Sequence, residues 1–281
     1  MDTTVLQFLA APFVASLILT GLHAYLGVHV VERGVIFVDL SLAQIAALGG
    51  AVALLLPFSG GDPHGPSVYW VSLGFTFVGA FVFSRLEHGR KARIPPEALI
   101  GISYAVASAA AIVAMSQASG QAEHLKDMLV GNILAVSWAE VGETAALYAL
   151  ISVFHYIFRR RFLLISMDPD KAQAEGLSLR FWDFLFYASF GFVVTWSVSI
   201  AGVLLVFCYL IVPSVAAMLY ADRIGPRLAI GWSMGTIVSI LGMYFSVQFD
   251  LPTGATIVCT FGLVLVIMAA LRPLIARRTA P

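Results

Sequence analysis

Long apolar stretches separated by short polar connections run from one end of this chain to the other. A helix needs about 20 mainly apolar residues to cross the hydrocarbon core of a bilayer. The pattern predicts an all-α, polytopic transmembrane helix bundle of about nine spans, or eight if the two stretches from 181 to 220, which are poorly separated, form one span. The stretches lie near residues 5–28, 34–57, 68–86, 97–117, 136–158, 181–199, 202–220, 227–248 and 254–271.

Composition supports this prediction and narrows the class of protein. Of the 281 residues, 60% are hydrophobic and only 11% are charged, and the mean hydropathy is +0.92. Because soluble domains carry about 25% charged residues, a water-soluble fold is excluded. The formal net charge is zero, and no basic stripe lies outside the polar connections, which argues against nucleic acid as a partner.

Basic residues are concentrated in every second connection, and this alternation predicts the orientation of the chain. The connections between them hold almost no Lys or Arg, with Lys126 as the exception. Since basic loops stay in the cytoplasm, the C-terminus is predicted inside and the N-terminus outside. Asp2 stands where a signal peptide would be basic, so the first stretch is expected to be a mature helix. The basic residues are Arg33, Arg85, Arg90, Lys91, Arg93, Arg159, Arg160, Arg161, Lys171, Arg223, Arg227, Arg272, Arg277 and Arg278.

Motifs for enzyme chemistry are missing from the sequence. It contains no GxxxxGK(S/T) phosphate loop, no HExxH zinc motif and no GxSxG nucleophile motif. Its two cysteines, Cys208 and Cys259, lie in apolar stretches and form neither a disulfide framework nor a paired zinc motif. The chain is expected to be a non-enzymatic subunit, and any ATP hydrolysis must come from another chain.

The longest basic connection, residues 159–183, contains the signals of a short helix. Asp168 can cap its start, Pro169 suits the first helical position, and Gly176 suits the position just past its end. Two interpretations stay open: a helix on the cytoplasmic face that a partner grips, or a plain amphipathic linker.

Six ordered segments make the chain resemble the permeases of the ABC-3 family. These permeases are membrane subunits of bacterial ABC transporters for zinc, manganese or iron, and are related to the vitamin B12 importer permease. The resemblance implies a single permease domain over 1–281 with a type II ABC importer fold. The segments are ERGVIFVDLSLAQIAALG at 32–49, PPEALIGISYAVAS at 95–108, AEHLKDMLVGNILAVSW at 122–138, SMDPDKAQAEGL at 166–177, GVLLVFCYLIVPSVAAML at 202–218 and DLPTGATIV at 250–258.

The resemblance also implies partners and cargo. A homodimer in the cytoplasmic membrane of a bacterium would work with ABC ATPase subunits and with a periplasmic or lipid-anchored metal-binding protein. The transported ion would be Zn²⁺, Mn²⁺ or Fe²⁺, with no permanently bound cofactor. The helix near 167–177 would be the coupling helix that docks into the ATPase. Its implied coupling residues are Met167, Asp168, Pro169, Lys171, Glu175 and Gly176.

Asp39 and His23 are the leading candidates for a metal site in the translocation path. An acidic residue inside a membrane helix costs roughly 2.5–3.5 kcal/mol on insertion scales, so it is rarely idle. Both residues are about seven positions from the turn expected near 30–33, so they could meet and bind a divalent metal. The alternatives are a hydrogen-bonded packing pair, or a salt bridge from Asp39 to Arg33.

One departure from the family pattern bears on this site. Many members carry an Asp and a His four residues apart in the second stretch. The resemblance places Leu40 at the aspartate position and Gln44 at the histidine position, with Asp39 about 100° away around the helix. Gln44 still offers a carbonyl oxygen, which suits harder ions.

The remaining candidates are weaker. Cys208 and Pro213 could line the path, although a buried small cysteine and an ordinary helix bend are the alternatives. An acidic outer mouth or docking surface, against the alternative of a solvated loop, is predicted at Glu123, His124 and Asp127.

Two other transport functions compete with metal-ion import. The first is import of a metal chelate or a small cofactor. The second is an ion-coupled secondary transporter that uses Asp39. Such transporters usually show inverted repeats with interrupted helices, and no convincing repeat relates the halves of this chain.

Overall fold

The computed structural model describes residues 3–57, 65–86, 94–116 and 133–279, and the side chains of all of these except 4–6 and 273–279. Over these ranges the chain forms helices and no strand. The helices are α1 (Thr3–Glu32), α2 (Val38–Leu54), α3 (Pro66–Phe83), α4 (Pro96–Ser116), a 3₁₀ turn (Ile133–Ala135), α5 (Trp138–Ile157), α6 (Arg159–Met167), α7 (Pro169–Ala174), α8 (Leu179–Ala201), α9 (Val203–Met218), α10 (Ile224–Phe249) and α11 (Thr253–Thr279).

Each predicted apolar stretch coincides with a helix, which confirms the all-helical membrane fold. By length and composition, six of the described helices are able to cross a membrane. A seventh span exists if α5 and α6, which meet at a bend of 74°, count together. Helices α2 and α9 are apolar but have only 17 and 16 residues. The count of nine spans therefore stays a prediction that helix length alone does not support.

Glycines end helices at two places where the apolar stretches run close together. Gly34 has a φ of +66° and Gly202 a φ of +76°, which L-residues with a side chain rarely adopt. Gly202 separates α8 from α9, so the two stretches that were hard to divide are distinct helices. Gly34 and the turn after it delay the start of α2 until Val38.

The chain folds into two compact units that both draw on distant parts of the sequence. The first consists of 1–31, 130–149 and 200–281, and the second of 32–129 and 150–199. The single permease domain over 1–281 stays a prediction.

Small residues allow close helix contacts inside each unit. In the second unit α2 packs against α3 and α4, and a Cβ on Gly49 would lie 2.8 Å from the Cα atom of Ser72. In the first unit a Cβ on Gly27 would lie 1.9 Å from the carbonyl oxygen of Leu210. Such approach is the usual way in which membrane helices pack, because lipid gives no hydrophobic drive.

Candidate functional site

The short helix α7 begins and ends as its sequence predicts. The Asp168 carboxylate accepts a hydrogen bond of 3.0 Å from the backbone N–H of Lys171, and Pro169 occupies the first turn. At the other end Gly176 has a φ of +81°. The N–H of Gly176 donates to the carbonyl of Gln173, and that of Leu177 donates to Ala172, both at 3.0 Å. Local chemistry thus defines both ends of the helix.

One face of α7 is buried and the rest is open. Ala172 is fully buried, whereas Lys171 and Glu175 are exposed. Met167, just before the helix, is 42% exposed. The predicted coupling residues are thus exposed apart from Pro169, which is half-buried, so a partner could reach them.

A buried ion pair holds the segment that leads into α7. The Nη1 of Arg33 donates to the Asp183 carboxylate, and its Nε donates to the Ser166 hydroxyl at 2.9 Å. The side chains of Arg33 and Asp183 are 2% and 1% exposed. The guanidinium also lies 4.2 Å from the centre of the Phe186 ring. Through these two contacts Arg33 ties the start of α8 to Ser166 at the end of α6, two residues before the cap of α7.

The partner of Arg33 corrects one sequence-based alternative. A salt bridge from Asp39 to Arg33 was considered, but the ion pair of Arg33 is with Asp183. Asp183 was not singled out in the sequence. The only local signal was a single acidic residue at the start of an otherwise aromatic stretch, RFWDFLF.

Aromatic side chains pack α6 against α5 and α8. Phe162 is fully buried, stacks on His155 with ring centres 4.5 Å apart, and meets Trp182 edge-on at 5.6 Å. The Nε2 of His155 is 2.9 Å from the Ser189 hydroxyl. Helix α6 is thus held against α5 and α8 by aromatic packing, and its Ser166 is hydrogen-bonded to Arg33 of the ion pair.

Asp39 lies in the first turn of α2, closer to the helix start than the seven positions from the turn near 30–33 that the sequence predicted. The physical reason is the turn at Gly34, which moves the helix start to Val38. Asp39 is 1% exposed. Within the described residues its Oδ1 has no hydrogen-bond partner. A buried carboxylate without full pairing is costly, so a cation or a proton is needed to compensate for it.

The other path candidates are buried as well. Gln44 is 5% exposed and lies on α2 with Asp39. The His23 ring is fully buried on α1, its Nδ1 lies 2.9 Å from the carbonyl oxygen of Leu19, and it lies 5.7 Å from the Tyr148 ring. His23 belongs to the first unit and Asp39 to the second, and their contact stays a prediction.

The two path candidates on α9, Cys208 and Pro213, lie in the packed interior of the first unit. Cys208 is buried, 9% exposed. Pro213 lies inside α9, and a Cβ on Gly231 of α10 would come within 3.5 Å of its ring. Pro213 is thus packed against a glycine, which suits ordinary close packing as well as a path.

No group of three or more His, Cys, Asp or Glu side chains placed to hold a metal occurs over the described ranges. The predicted outer mouth at Glu123, His124 and Asp127 lies outside the described residues.

Comparison with known proteins decides the family. Residues 5–272 match the model of the ABC 3 transport family. The chain belongs to the ABC 3 transport family. The manganese transport system membrane protein MntC of Halalkalibacterium halodurans is 30% identical over 231 residues, 80% of this chain and 77% of that protein. A probable iron transport system membrane protein of Haemophilus influenzae is 26% identical, covering 90% of this chain and 89% of that one.

A solved structure shows the same fold. PsaBC from Streptococcus pneumoniae, determined in complex with a Fab, superposes with a TM-score of 0.78 over 95% of each chain at 22% identity. The family predicted from the six sequence segments is confirmed, and with it the type of fold. As a member of the ABC 3 transport family, this chain is a multi-pass membrane subunit of a transporter.

Proposed function

We propose that this chain is the permease of an ATP-driven importer of a divalent transition metal ion. The observation that carries the proposal is the match to the ABC 3 transport family over residues 5–272. Relatives named for manganese and iron transport support Mn²⁺ or Fe²⁺ as the cargo. Zn²⁺ is a third candidate, because the resemblance to the family implies it as well. ATP is hydrolysed by separate ABC ATPase subunits.

In this proposal α7 is the coupling helix. It is a short, well-defined helix with exposed residues, since Asp168 caps its start and Gly176 ends it, and it is attached to a rigid support. A rigid contact of this kind is what an ATPase needs to bias a bistable helix bundle. This support consists of the Arg33–Asp183 pair and the aromatic packing around Phe162.

Asp39 is the proposed contact for the cargo, with Gln44 as a further carbonyl ligand on α2 and His23 as a second metal ligand. A buried carboxylate oxygen without a partner among the described residues supports this role, since a passing divalent cation would compensate for its charge. Carboxylate and amide oxygens suit Mn²⁺ better than soft ligands would. Cys208 and Pro213 are proposed to line the same path from α9.

The remaining parts of the assembly are proposals as well. The chain acts as a homodimer in the cytoplasmic membrane of a bacterium, with its N-terminus outside and its C-terminus inside. A periplasmic or lipid-anchored metal-binding protein delivers the ion, and the predicted mouth at Glu123, His124 and Asp127 is its docking surface.

The experiment is elemental analysis of metal-limited cells that express the permease with its ATPase and binding protein. We expect one transition metal to accumulate with wild type and with Gly225→Ala, a glycine that has open space and no positive φ. Gly176→Pro should abolish accumulation, because a φ of +81° is closed to proline. Accumulation of a metal only when it is supplied as a chelate would favour chelate import. Uptake that continues without the ATPase would favour a secondary transporter.

A further inference from the structure

A cavity of about 490 Å³ lies in the second unit, between the end of α3 and the beginning of α8. Its lining includes two arginines, Arg85 and Arg180, and three aromatic side chains, Phe81, Phe181 and Phe184. Neither the coupling contact nor the metal path uses these residues. The combination of cationic and aromatic side chains in one recess points to a ligand with an anionic head and an apolar body.

The two arginines are available to a ligand. Both are exposed, and over the described ranges neither forms an ion pair. None of the residues that line the cavity is acidic. The Arg85 guanidinium lies 4.5 Å from the centre of the Phe81 ring, which holds it at the edge of the recess. Two guanidinium groups with no acidic neighbour in the lining match a phosphate group, which they can bind in a forked geometry.

The apolar side of the cavity continues along the surface of α3. Phe81 and Phe181 are 49% and 55% exposed, and the Phe81 and Phe184 rings meet edge-on with centres 6.3 Å apart. Val78, one turn before Phe81, is 65% exposed. Because α3 is long and apolar enough to span a membrane, this face is suited to lie along an acyl chain.

We infer that this cavity is a binding site for an anionic phospholipid, whose phosphate contacts Arg85 and Arg180 while an acyl chain lies along Phe81, Phe184 and Val78. Charge complementarity selects the occupant: basic pockets at the ends of membrane helices on the cytoplasmic side bind anionic headgroups. The placement of the site in the inner leaflet rests on the orientation proposed above, but binding itself does not.

The site is also connected along the chain to the coupling helix. Ser178, another lining residue, follows Gly176 by two positions and immediately precedes α8. A bound lipid would therefore restrain the short link between α7 and α8. Lipid binding could in this way change how strongly α7 is coupled to α8 in the proposed mechanism.

The test is native mass spectrometry of the full chain, purified in detergent and exchanged against phosphatidylglycerol or phosphatidylcholine with the same acyl chains. We expect wild type to retain phosphatidylglycerol in preference. The double variant Arg85→Gln/Arg180→Gln should retain roughly tenfold less or lower still, as expected from the loss of two charges that act on an anionic lipid. Arg85→Lys/Arg180→Lys should keep part of the preference because it keeps the charge.

The matched control is Arg159→Gln/Arg160→Gln. These arginines are exposed on the same unit, and Arg159 lies 4.3 Å above the Tyr156 ring as Arg85 lies above Phe81. Equal loss of lipid in this control would overturn the site, as would equal retention of phosphatidylcholine by wild type. Displacement by excess inorganic phosphate alone would identify a free-anion site and overturn the lipid proposal. Should the double variant fail to fold, the single variants Arg85→Gln and Arg180→Gln each carry the same expectation with a smaller loss.

This assay needs neither the ATPase nor a transported metal. A failure of lipid binding would leave metal import standing, and a failure of metal import would leave the lipid site standing.

Discussion

Among single residues, Asp39 is the clearest case of a polar group kept at a cost. It is 1% exposed, and within the described residues its Oδ1 has no hydrogen-bond partner. Part of that cost is offset by its position in the first turn of α2, where the helix dipole favours a negative charge. The remainder needs a cation or a proton, and a transporter of cations supplies the first.

We expect Asp39→Asn to lower metal uptake at least about tenfold, a loss that corresponds to about 1.4 kcal/mol. The same change should keep or raise the melting temperature, because it removes a buried charge that costs free energy. Uptake by cells and thermal unfolding of the purified chain measure the two effects. Asp222→Asn, a change at an exposed carboxylate, should alter neither. A variant that loses stability but keeps its uptake would contradict the assignment and make Asp39 a structural residue.

For the Arg33–Asp183 pair we expect the opposite effect on stability: removal of one of its charges should lower the melting temperature. Removal of one partner from a buried pair leaves an uncompensated charge and costs about 3–5 kcal/mol. Arg33→Met and Asp183→Leu should each lower the melting temperature sharply, while the double variant should recover much of the loss. A double-mutant cycle on thermal unfolding measures the coupling. Strictly additive losses would show that the two side chains do not act as a pair.

At the scale of the helical element, α7 depends on a few local bonds rather than on a core. It has six residues and buries only the side chain of Ala172. Helices this short are not stable alone, so the cap, the proline and the glycine stop decide whether it forms. If α7 is the coupling helix, as proposed, these same local bonds would also decide how well it transmits force.

The cap at Asp168 can be tested apart from its charge. Asp168→Ala should weaken the start of α7 by about 1 kcal/mol and reduce stimulation of the ATPase by the permease. Asp168→Asn should keep most of the stimulation, because an amide oxygen can still accept from the N–H of Lys171. Steady ATP hydrolysis by the reconstituted complex measures both variants. Equal loss in Asp168→Ala and Asp168→Asn would mean that the charge contacts the ATPase directly and that the cap is secondary.

The elements also show what sequence reasoning can reach. The bounds of α7 followed from Asp168, Pro169 and Gly176 because capping acts over three or four residues. The start of α2 was missed, since an apolar stretch does not reveal the turn that Gly34 imposes. The Arg33–Asp183 pair joins positions 150 residues apart, and no local pattern encodes such a contact. Asp39 is a candidate from the rarity of a carboxylate in an apolar stretch alone, but only the structure shows that its Oδ1 has no hydrogen-bond partner within the described residues.

For the molecule as a whole, charge along the chain and helix length both bear on the number of membrane crossings. Among the described helices, six are long and apolar enough to span a membrane, a seventh span exists if the bent pair of α5 and α6 counts as one, and α2 and α9 are shorter. An odd number of crossings is required if the basic connections all lie on one side.

We expect the C-terminus inside and the N-terminus outside, because the basic residues in the last turns of α11 and those in α6 would then share the cytoplasm with the proposed ATPase. A fluorescent protein that folds only in the cytoplasm, fused after Pro281, should be bright. Alkaline phosphatase, active only outside, should be active when inserted after Gly61, in a connection without Lys or Arg. Insertion after Gly225, beside two arginines, serves as the control and should be inactive. A dark C-terminal fusion would mean an even number of crossings if the N-terminus is outside. If the insertion after Gly225 were active as well, α7 would lie on the side opposite to any ATPase. The coupling proposal would then fail together with the topology.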